Sequence, residues 1–320
     1  MPTEPKYFKK KGVIACLLWP LSLLWQASIW IREKLASPPY KSRVPVICVG
    51  NLVVGGSGKT PIVITLAEHF INDGLKVGIV SRGYGRKNHQ PQLALASSNA
   101  TDVGDEPLEM ATRLPKAIIA VAASRATAAK MVEKKVDLII MDDGLQHYSL
   151  YKDFKIAVFG SQAGYGNGFT LPAGPLREPL SRLKSIDAVV ITGPENPALA
   201  RELSKYGKPV FTAPGKLDKV KKGLKAVAFA GIGNPEKFFN ALNAAGVNLL
   251  HTKGFPDHHN YTRTELETLL TPGLPVLTTH KDFVKIPTDL KPYFTPVGMT
   301  SQLDTSMFSL LRSTIISRGI

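Results

Sequence analysis

Cysteine is nearly missing: of 320 residues only Cys16, in an apolar run, and Cys48, in a β-rich one, carry thiols. Neither a disulfide framework nor a cysteine-based zinc site is possible on that supply, and a reducing, cytosolic setting is expected for most of the chain. Acidic residues are also scarce, 25 against 40 Lys and Arg, which leaves a formal charge of +15. Such an imbalance calls for an anionic partner, whether nucleic acid, phosphorylated ligand or membrane surface. Repeats and low-complexity tracts are missing, and a 44% hydrophobic content excludes a disordered chain. At about 150 residues per domain, the length suggests two domains.

Charge is missing altogether from Val13 to Ile31, nineteen residues in succession. At about 1.5 Å per residue, a helix of this length reaches across a bilayer core of roughly 30 Å. All three tryptophans, Trp19, Trp25 and Trp30, lie in it; Lys6, Lys9, Lys10 and Lys11 precede it, and Arg32 and Lys34 follow. Indoles favour the headgroup boundary, and each Lys or Arg of the basic flanks is drawn to an anionic leaflet by about 1 kcal/mol. Pro20, Ser22, Gln26 and Ser28 weaken a purely spanning segment. Membrane association is therefore expected, with spanning and interfacial geometries both open. A buried core helix and a cleaved signal peptide compete with it; the length of the run and the missing small-residue cleavage site oppose the latter. Residues 1–45 hold eight Lys and Arg against two Glu, so +6 of the total charge sits around this segment.

Beyond Pro38-Pro39, short β-rich runs alternate with helical patterns. Strands are expected at Val44–Val49, Val77–Val80, Ala117–Ala122, Leu138–Met141, Lys155–Phe159, Ala188–Thr192 and Val210–Thr212. Helices are expected at Thr60–Asp73, Pro107–Arg113, Arg125–Lys134 and Pro197–Tyr206. This alternation predicts an α/β layered domain with a largely parallel sheet. The charged stretch Lys216–Lys225 is the candidate boundary. After it the pattern restarts with a strand at Ala226–Ala230, a helix opening at Pro235 and a strand at Pro275–Thr278. The expected division is a membrane-associated helix over 1–35, a larger domain over 36–218 and a smaller α/β domain over 219–320.

Between the first strand and first helix of the larger domain lies Gly50-Asn-Leu-Val-Val-Gly55-Gly56-Ser57-Gly58-Lys59-Thr60-Pro61. Glycines let backbone N–H groups converge on a phosphate, Lys59 brings a charge to the β and γ oxygens, and the Thr60 hydroxyl completes a Mg²⁺ shell. Val53 stands where G-x-x-x-x-G-K-[ST] has its first glycine. A phosphate loop needs an acidic partner at a neighbouring strand end, and Leu138-Ile-Ile-Met-Asp142-Asp143-Gly144 supplies one. Adjacent carboxylates repel unless a cation lies near them, so Asp142 and Asp143 are candidate metal-side residues. Other clusters also fall at predicted strand ends: Ser81–Arg86, Gly104–Pro107, Ser124-Arg125, Gln146-His147, Pro175–Pro179 and Asp257–His259. In an open α/β sheet those ends converge on one crevice.

In this order and spacing, GNLVVGGSGKTP, VSRGYGR, VGDEP, MDDGLQH and LPAGPLREP resemble the tetraacyldisaccharide 4′-kinase family, the lipid A 4′-kinases of Gram-negative bacteria. The resemblance implies a P-loop α/β/α sandwich with an N-terminal membrane-associated helix and a smaller α/β/α domain closing over ATP and Mg²⁺. It implies transfer of the ATP γ-phosphate to the 4′-hydroxyl of an acylated glucosamine disaccharide 1-phosphate at the cytoplasmic face of the inner membrane. By position it assigns Asp105 to activating the sugar hydroxyl together with His258, with His259 adjoining as the alternative imidazole. Gly55, Gly56, Ser57, Gly58, Lys59 and Thr60 fall on the nucleotide; Thr60, Asp142 and Asp143 on the metal; Arg177 and Glu178 near both. Tyr84, Arg125, Gln146 and His147 fall on the lipid substrate. His280 departs from the family, which commonly has glutamate there.

Two other classes compete. A membrane-bound nucleotide switch would need a selecting motif such as N-K-x-D, and none is present. A nucleic-acid-dependent ATPase would use the positive charge, but the chain has no recognisable nucleic-acid module or aromatic-interleaved basic stretch. Neither a nucleic-acid partner nor an obligate protein partner is expected.

Overall fold

Eight strands form the larger sheet: β1 (Val46–Gly50), β2 (Val77–Ser81), β3 (Gln92–Ala94), β4 (Ile118–Val121), β5 (Leu138–Asp142), β6 (Phe154–Gly160), β7 (Ala188–Thr192) and β8 (Val210–Ala213). The structure, a computed structural model, describes residues 5–218 and 220–316. Lys219, where the smaller domain is expected to begin, lies outside them, as do residues 1–4 and 317–320. The strand order is β3-β4-β2-β5-β1-β6-β7-β8, parallel except for the β3 edge. Every expected strand of the larger domain is found. β3 escaped the sequence reading because three residues, with Leu93 partly exposed, show no period.

β1 sits inside the sheet and is buried throughout. Its side chains alternate, Ile47 and Val49 into one core and Val46 and Cys48 into the other, as a sheet covered on both faces requires. Register pairs Val49 with Asp142, so the loop after β1 and the acidic end of β5 emerge side by side. The helices around the sheet are α2 (Lys59–Asn72), α3 (Ala100–Val103), α4 (Asp105–Arg113), α5 (Arg125–Val132) and α6 (Pro197–Ser204), preceded by α1 (Val13–Leu35).

α1 is docked along its length rather than detached. Ala15, Ser22 and Ile29, spaced by seven, are its buried residues. The Ser22 hydroxyl donates to Thr170 O (2.8 Å) and accepts from Ala173 N (3.2 Å); Gln26 donates to Thr170 Oγ1 (3.1 Å). Trp25 Nε1 donates to Arg177 O (2.9 Å), and Glu33 pairs with Arg182 (2.7 Å). Leu17, Leu24 and Ile31 lie two residues further on, about 200° around the helix, and are 73%, 67% and 47% exposed. Two of the residues that seemed to weaken a membrane segment, Ser22 and Gln26, attach it to the protein, while Ser28 Oγ donates within the helix to Trp25 O.

After β8 the chain crosses by β9 (Gly215–Leu217) into a four-stranded parallel sheet: β10 (Lys225–Ala230), β11 (Asn248–Gly254), β12 (Val276–Thr279) and β13 (Phe294–Val297), in the order β11-β10-β12-β13. α7 (Pro235–Ala244), α8 (Arg263–Glu267) and α9 (His280–Phe283) accompany it. The chain then returns through β14 (Met299–Ser301), antiparallel to β9, into α10 (Thr305–Ile316). Residues 299–316, expected within the smaller domain, thus pack on the larger body. The reason is the stripe Met307, Leu311 and Ile315, which joins the core containing Ile62, Leu66 and Phe70. Phe308 also stacks on His69 of α2, ring centroids 3.6 Å apart.

Candidate active site

The loop from β1 to α2 is shaped by Gly58, which takes a left-handed backbone (φ 79°) to cap α2. A Cβ there would lie 3.0 Å from Thr192 Oγ1, whose hydroxyl donates to Ser57 O (2.7 Å). Val53 replaces a glycine without penalty because it is extended: it bridges Leu176, while Val54 N donates to Pro175 O (2.8 Å) and Arg177 N to Leu52 O (2.7 Å). This short ladder brings Arg177 and Glu178 to the phosphate loop.

Among the described residues, the two non-glycine positions with left-handed backbone are Asp143 (φ 44°) and His258 (φ 60°). Strained backbone of this kind concentrates at functional sites. The Asp143 carboxylate lies 3.6 Å from Lys59 Nζ and 3.3 Å from Arg177 Nη1. Burial alone would raise its pKa, but those two cations outweigh it and hold the carboxyl below its usual range. Asp142 behaves oppositely. Burial, with Glu106 and Asp143 adding repulsion, pushes it up to about 7. Its Oδ2 accepts from Ser81 Oγ (3.2 Å), while its buried Oδ1 and the buried Ser57 hydroxyl have no partner. No cluster of three or more His, Cys, Asp or Glu encloses a metal among the described residues. Two carboxylates beside a phosphate loop and the Thr60 hydroxyl instead suit Mg²⁺, which keeps waters and takes phosphate oxygens. The orphaned Asp142 oxygen fits that ion.

Gln146 Nε2 donates to Asn51 O (3.1 Å) and Glu178 Oε2 (2.8 Å), tying the acidic turn to the phosphate loop; buried Glu178 also pairs with Arg182 (3.2 Å). Arg125 is only 2% exposed and reaches the Asp142 and Asp143 carbonyls at 3.4 and 3.5 Å. It lies beneath the acidic turn, not on an open face. His147 stands nearby, its pKa lowered to about 4 by burial and then by Arg125. Tyr84 is far more open, 61% exposed, with its ring 5.5 Å from that of His258.

Asp105 opens α4, following Gly104, whose φ of 93° turns the chain into the helix. His258 Nδ1 reaches Asp105 Oδ2 across the junction of the two bodies (2.9 Å). His259 faces away, paired with Glu265 (3.1 Å) and stacked on Phe255 (5.0 Å). His258 is thus the imidazole at Asp105. His280 is removed from this pair and lies 3.7 Å from Asp218, beside the crossing strands. Two site neighbours escaped the sequence reading: Lys285 Nζ, 2.9 Å from Asp105 Oδ2, and Lys281 Nζ, 3.2 Å from His258 Nε2. The strand expected before them at Pro275–Thr278 and the departure at His280 marked their region, but neither lysine. Glu106 acts on both Asp142 and Lys281, which links the acidic turn to this second cluster.

A phosphate loop with an acidic partner, faced by a carboxylate of the same body that is paired with an imidazole from a second α/β body, defines a P-loop phosphotransferase. The sequence profile of the family described as tetraacyldisaccharide-1-P 4′-kinase, LpxK, matches residues 14–315, and the chain belongs to that family. A tetraacyldisaccharide 4′-kinase of Aliivibrio fischeri (strain MJ11) is 42% identical over 281 residues, 84% of each chain. One from Actinobacillus pleuropneumoniae (serotype 5b, strain L20) is 38% identical over 323 positions, 97% of this chain and 98% of its own. Among solved structures, that of LpxK from Aquifex aeolicus in complex with ATP superposes with a TM-score of 0.75. It is 29% identical and covers 95% of this chain and 100% of its own.

Proposed function

We propose that this protein is an ATP-dependent lipid kinase that transfers the γ-phosphate of ATP to the 4′-hydroxyl of a tetraacyldisaccharide 1-phosphate, forming lipid IVA. Family membership over nearly the whole chain supports the reaction. The observation that carries the mechanism is the Asp105–His258 contact at the junction of the bodies.

In this reading the N–H groups around Gly55, Gly56, Ser57 and Gly58, with Lys59, hold the ATP phosphates. Thr60, Asp142 and Asp143, with Glu178 close by, would hold Mg²⁺, which when bound supplies neutralisation of phosphate charge. Arg177, shared with Asp143, offers a second cation to the γ-phosphate. Asp105 accepts the proton of the attacking hydroxyl, and His258 orients it. Tyr84, beside His258, contacts the sugar; Gln146 and His147 reach the lipid substrate from the extension of the acidic turn, and Arg125 acts from beneath that turn.

The protein works at the cytoplasmic face of the inner membrane with α1 lying on the bilayer. One stripe of the helix grips the protein, and the opposite apolar stripe is left for lipid. A body attached along the whole of α1 would have to enter the hydrocarbon if the helix spanned. Residues 36–218, joined by 299–316, form the nucleotide body, and 220–297 the smaller body that closes over ATP. The test is transfer of radioactive γ-phosphate to lipid A disaccharide 1-phosphate by the protein in detergent. Stoichiometric label on the lipid is expected; ATP binding without labelled lipid would sink the proposal.

A further inference from the structure

The Asp105–His258 pair is gripped by two ammonium groups that none of the recognised motifs includes. Both come from one turn of the smaller body: Lys281 in α9 and Lys285 just beyond it, where Lys285 N still donates to Asp282 O (3.0 Å). Four residues apart on a helical turn, they project to the same side. The Lys285 side chain is 5% exposed, and its Nζ lies 2.9 Å from Asp105 Oδ2 and 3.3 Å from His259 O, with the Tyr261 ring at 5.9 Å. Lys281 Nζ lies 2.9 Å from Asp257 Oδ1 and 3.2 Å from His258 Nε2. Other charged groups facing the cluster are Glu106 and Asp282, the latter 4.0 Å from Lys285.

An ammonium has three donors and no acceptor. The His258 nitrogen it faces must therefore present a lone pair, which leaves the ring hydrogen on Nδ1, the nitrogen directed at Asp105. Burial alone would lower the pKa of Lys281, but Glu106 and Asp257 outweigh it and keep the group an ammonium. His258 and Lys285 both donate to Oδ2 of Asp105, so Oδ1 is the oxygen left to receive a proton.

Resting on the assignment of Asp105 as base, we propose that Lys281 and Lys285 are positioning residues for phosphoryl transfer. Lys281 sets the Nδ1–H tautomer of His258, and Lys285 with His258 pins Asp105 through Oδ2 so that Oδ1 faces the acceptor hydroxyl. In the step they serve, the acceptor oxygen bonds to the γ-phosphorus, the bond from that phosphorus to the β–γ bridging oxygen breaks, ADP leaves with the bonding pair, and the hydroxyl proton passes to Asp105 Oδ1. Both lysines belong to the smaller body and Asp105 to the larger, so the base is oriented only where the two meet.

Nitrogen-15 spectra of the histidine-labelled full chain test the tautomer directly. A protonated Nδ1 and bare Nε2 at His258 are expected; a protonated Nε2 would overturn the proposal, and this reading needs no variant to fold. Lys281→Met should then mix the tautomers and lower kcat about 10–100-fold with KM for ATP and lipid within twofold, and Lys281→Arg should restore most of the turnover. Lys285→Met should move the acid limb of the kcat profile to higher pH, because Asp105 loses its cation. Lys281→Met with an unchanged tautomer and wild-type kcat, or Lys285→Met with an unmoved acid limb, would also refute it. Wild-type turnover in Asp105→Asn would instead withdraw the base assignment, a failure visible without either lysine variant.

Discussion

Asp142 holds a buried carboxyl with one unpartnered oxygen, and that arrangement costs folding free energy when nucleotide and metal are absent. Its pKa is raised to about 7 in the folded chain against an ordinary 3.8, so between those values the native state binds the extra proton. Stability therefore falls as pH rises through this window, and the loss is complete above about pH 7. Asp142→Asn should raise Tm of the nucleotide-free protein at pH 8, by about 2–4 °C for each kcal/mol relieved, with little gain at pH 4. Scanning calorimetry at the two pH values checks this, and kcat should collapse in the same variant. Asp105→Ala should lower kcat by about 10²–10⁴-fold while ATP affinity is kept, whereas Lys59→Ala should weaken ATP binding itself; single-turnover kinetics and calorimetric titration separate the two. His259→Gln, paired with Glu265 away from Asp105, should leave kcat within a few fold. The phosphate loop and the acidic pair were readable because each is a local run at a strand end. Lys281 and Lys285 were not, because their partners Asp105 and His258 are reached only through the meeting of two bodies.

α1 shows how an element's period can be visible and its meaning hidden. Apolar length was plain from Val13 to Ile31, but which polar residues faced protein and which side stayed exposed depended on the loop around Thr170–Arg177, far away in sequence. Ser22→Leu should place an oversized side chain at a fully buried position and strand the Ala173 N–H, Thr170 O keeping its Gly174 N donor, and destabilise the docked helix by about 1–3 kcal/mol. The combined change Leu17→Ser, Leu24→Ser and Ile31→Ser alters only the exposed stripe. It should preserve Tm and kinase activity in detergent while vesicle sedimentation falls sharply; equal loss of Tm would place that stripe in the protein core. Val53 is a second case. It departs from the glycine pattern, and its extended conformation is what lets the Leu176 bridge carry Arg177 to the site. The strands of the larger sheet were legible because two-sided burial writes continuous apolar runs; β14 and α10 were assigned to the wrong body because a helix stripe does not name its partner.

Across the whole molecule, charge and anchorage have to agree on one orientation at the membrane. Trp25 is hydrogen-bonded to Arg177, so the exposed apolar stripe of α1 stands in a fixed relation to the phosphate loop. The basic flank adds a second constraint, since Lys6, Lys9 and Lys10 are exposed in the segment just before this helix. If that flank rests on an anionic leaflet, each lysine contributes about 1 kcal/mol, and neutralising all three costs about 3 kcal/mol. Replacing the three with Gln should therefore weaken binding to vesicles of anionic phospholipid by about 100-fold at low salt, at 1.4 kcal/mol per decade. The gap to the wild type should close as ionic strength rises toward 1 M, where the screening length shrinks to about 3 Å. Binding to neutral vesicles, carried by Leu17, Leu24 and Ile31, should barely change. Turnover on lipid presented in anionic vesicles should fall with binding, and turnover in detergent should not, because none of the three lysines touches the site. Equal affinity of both proteins for anionic vesicles at low salt would mean that the flank points away from the leaflet, and the orientation inferred from α1 would have to be abandoned.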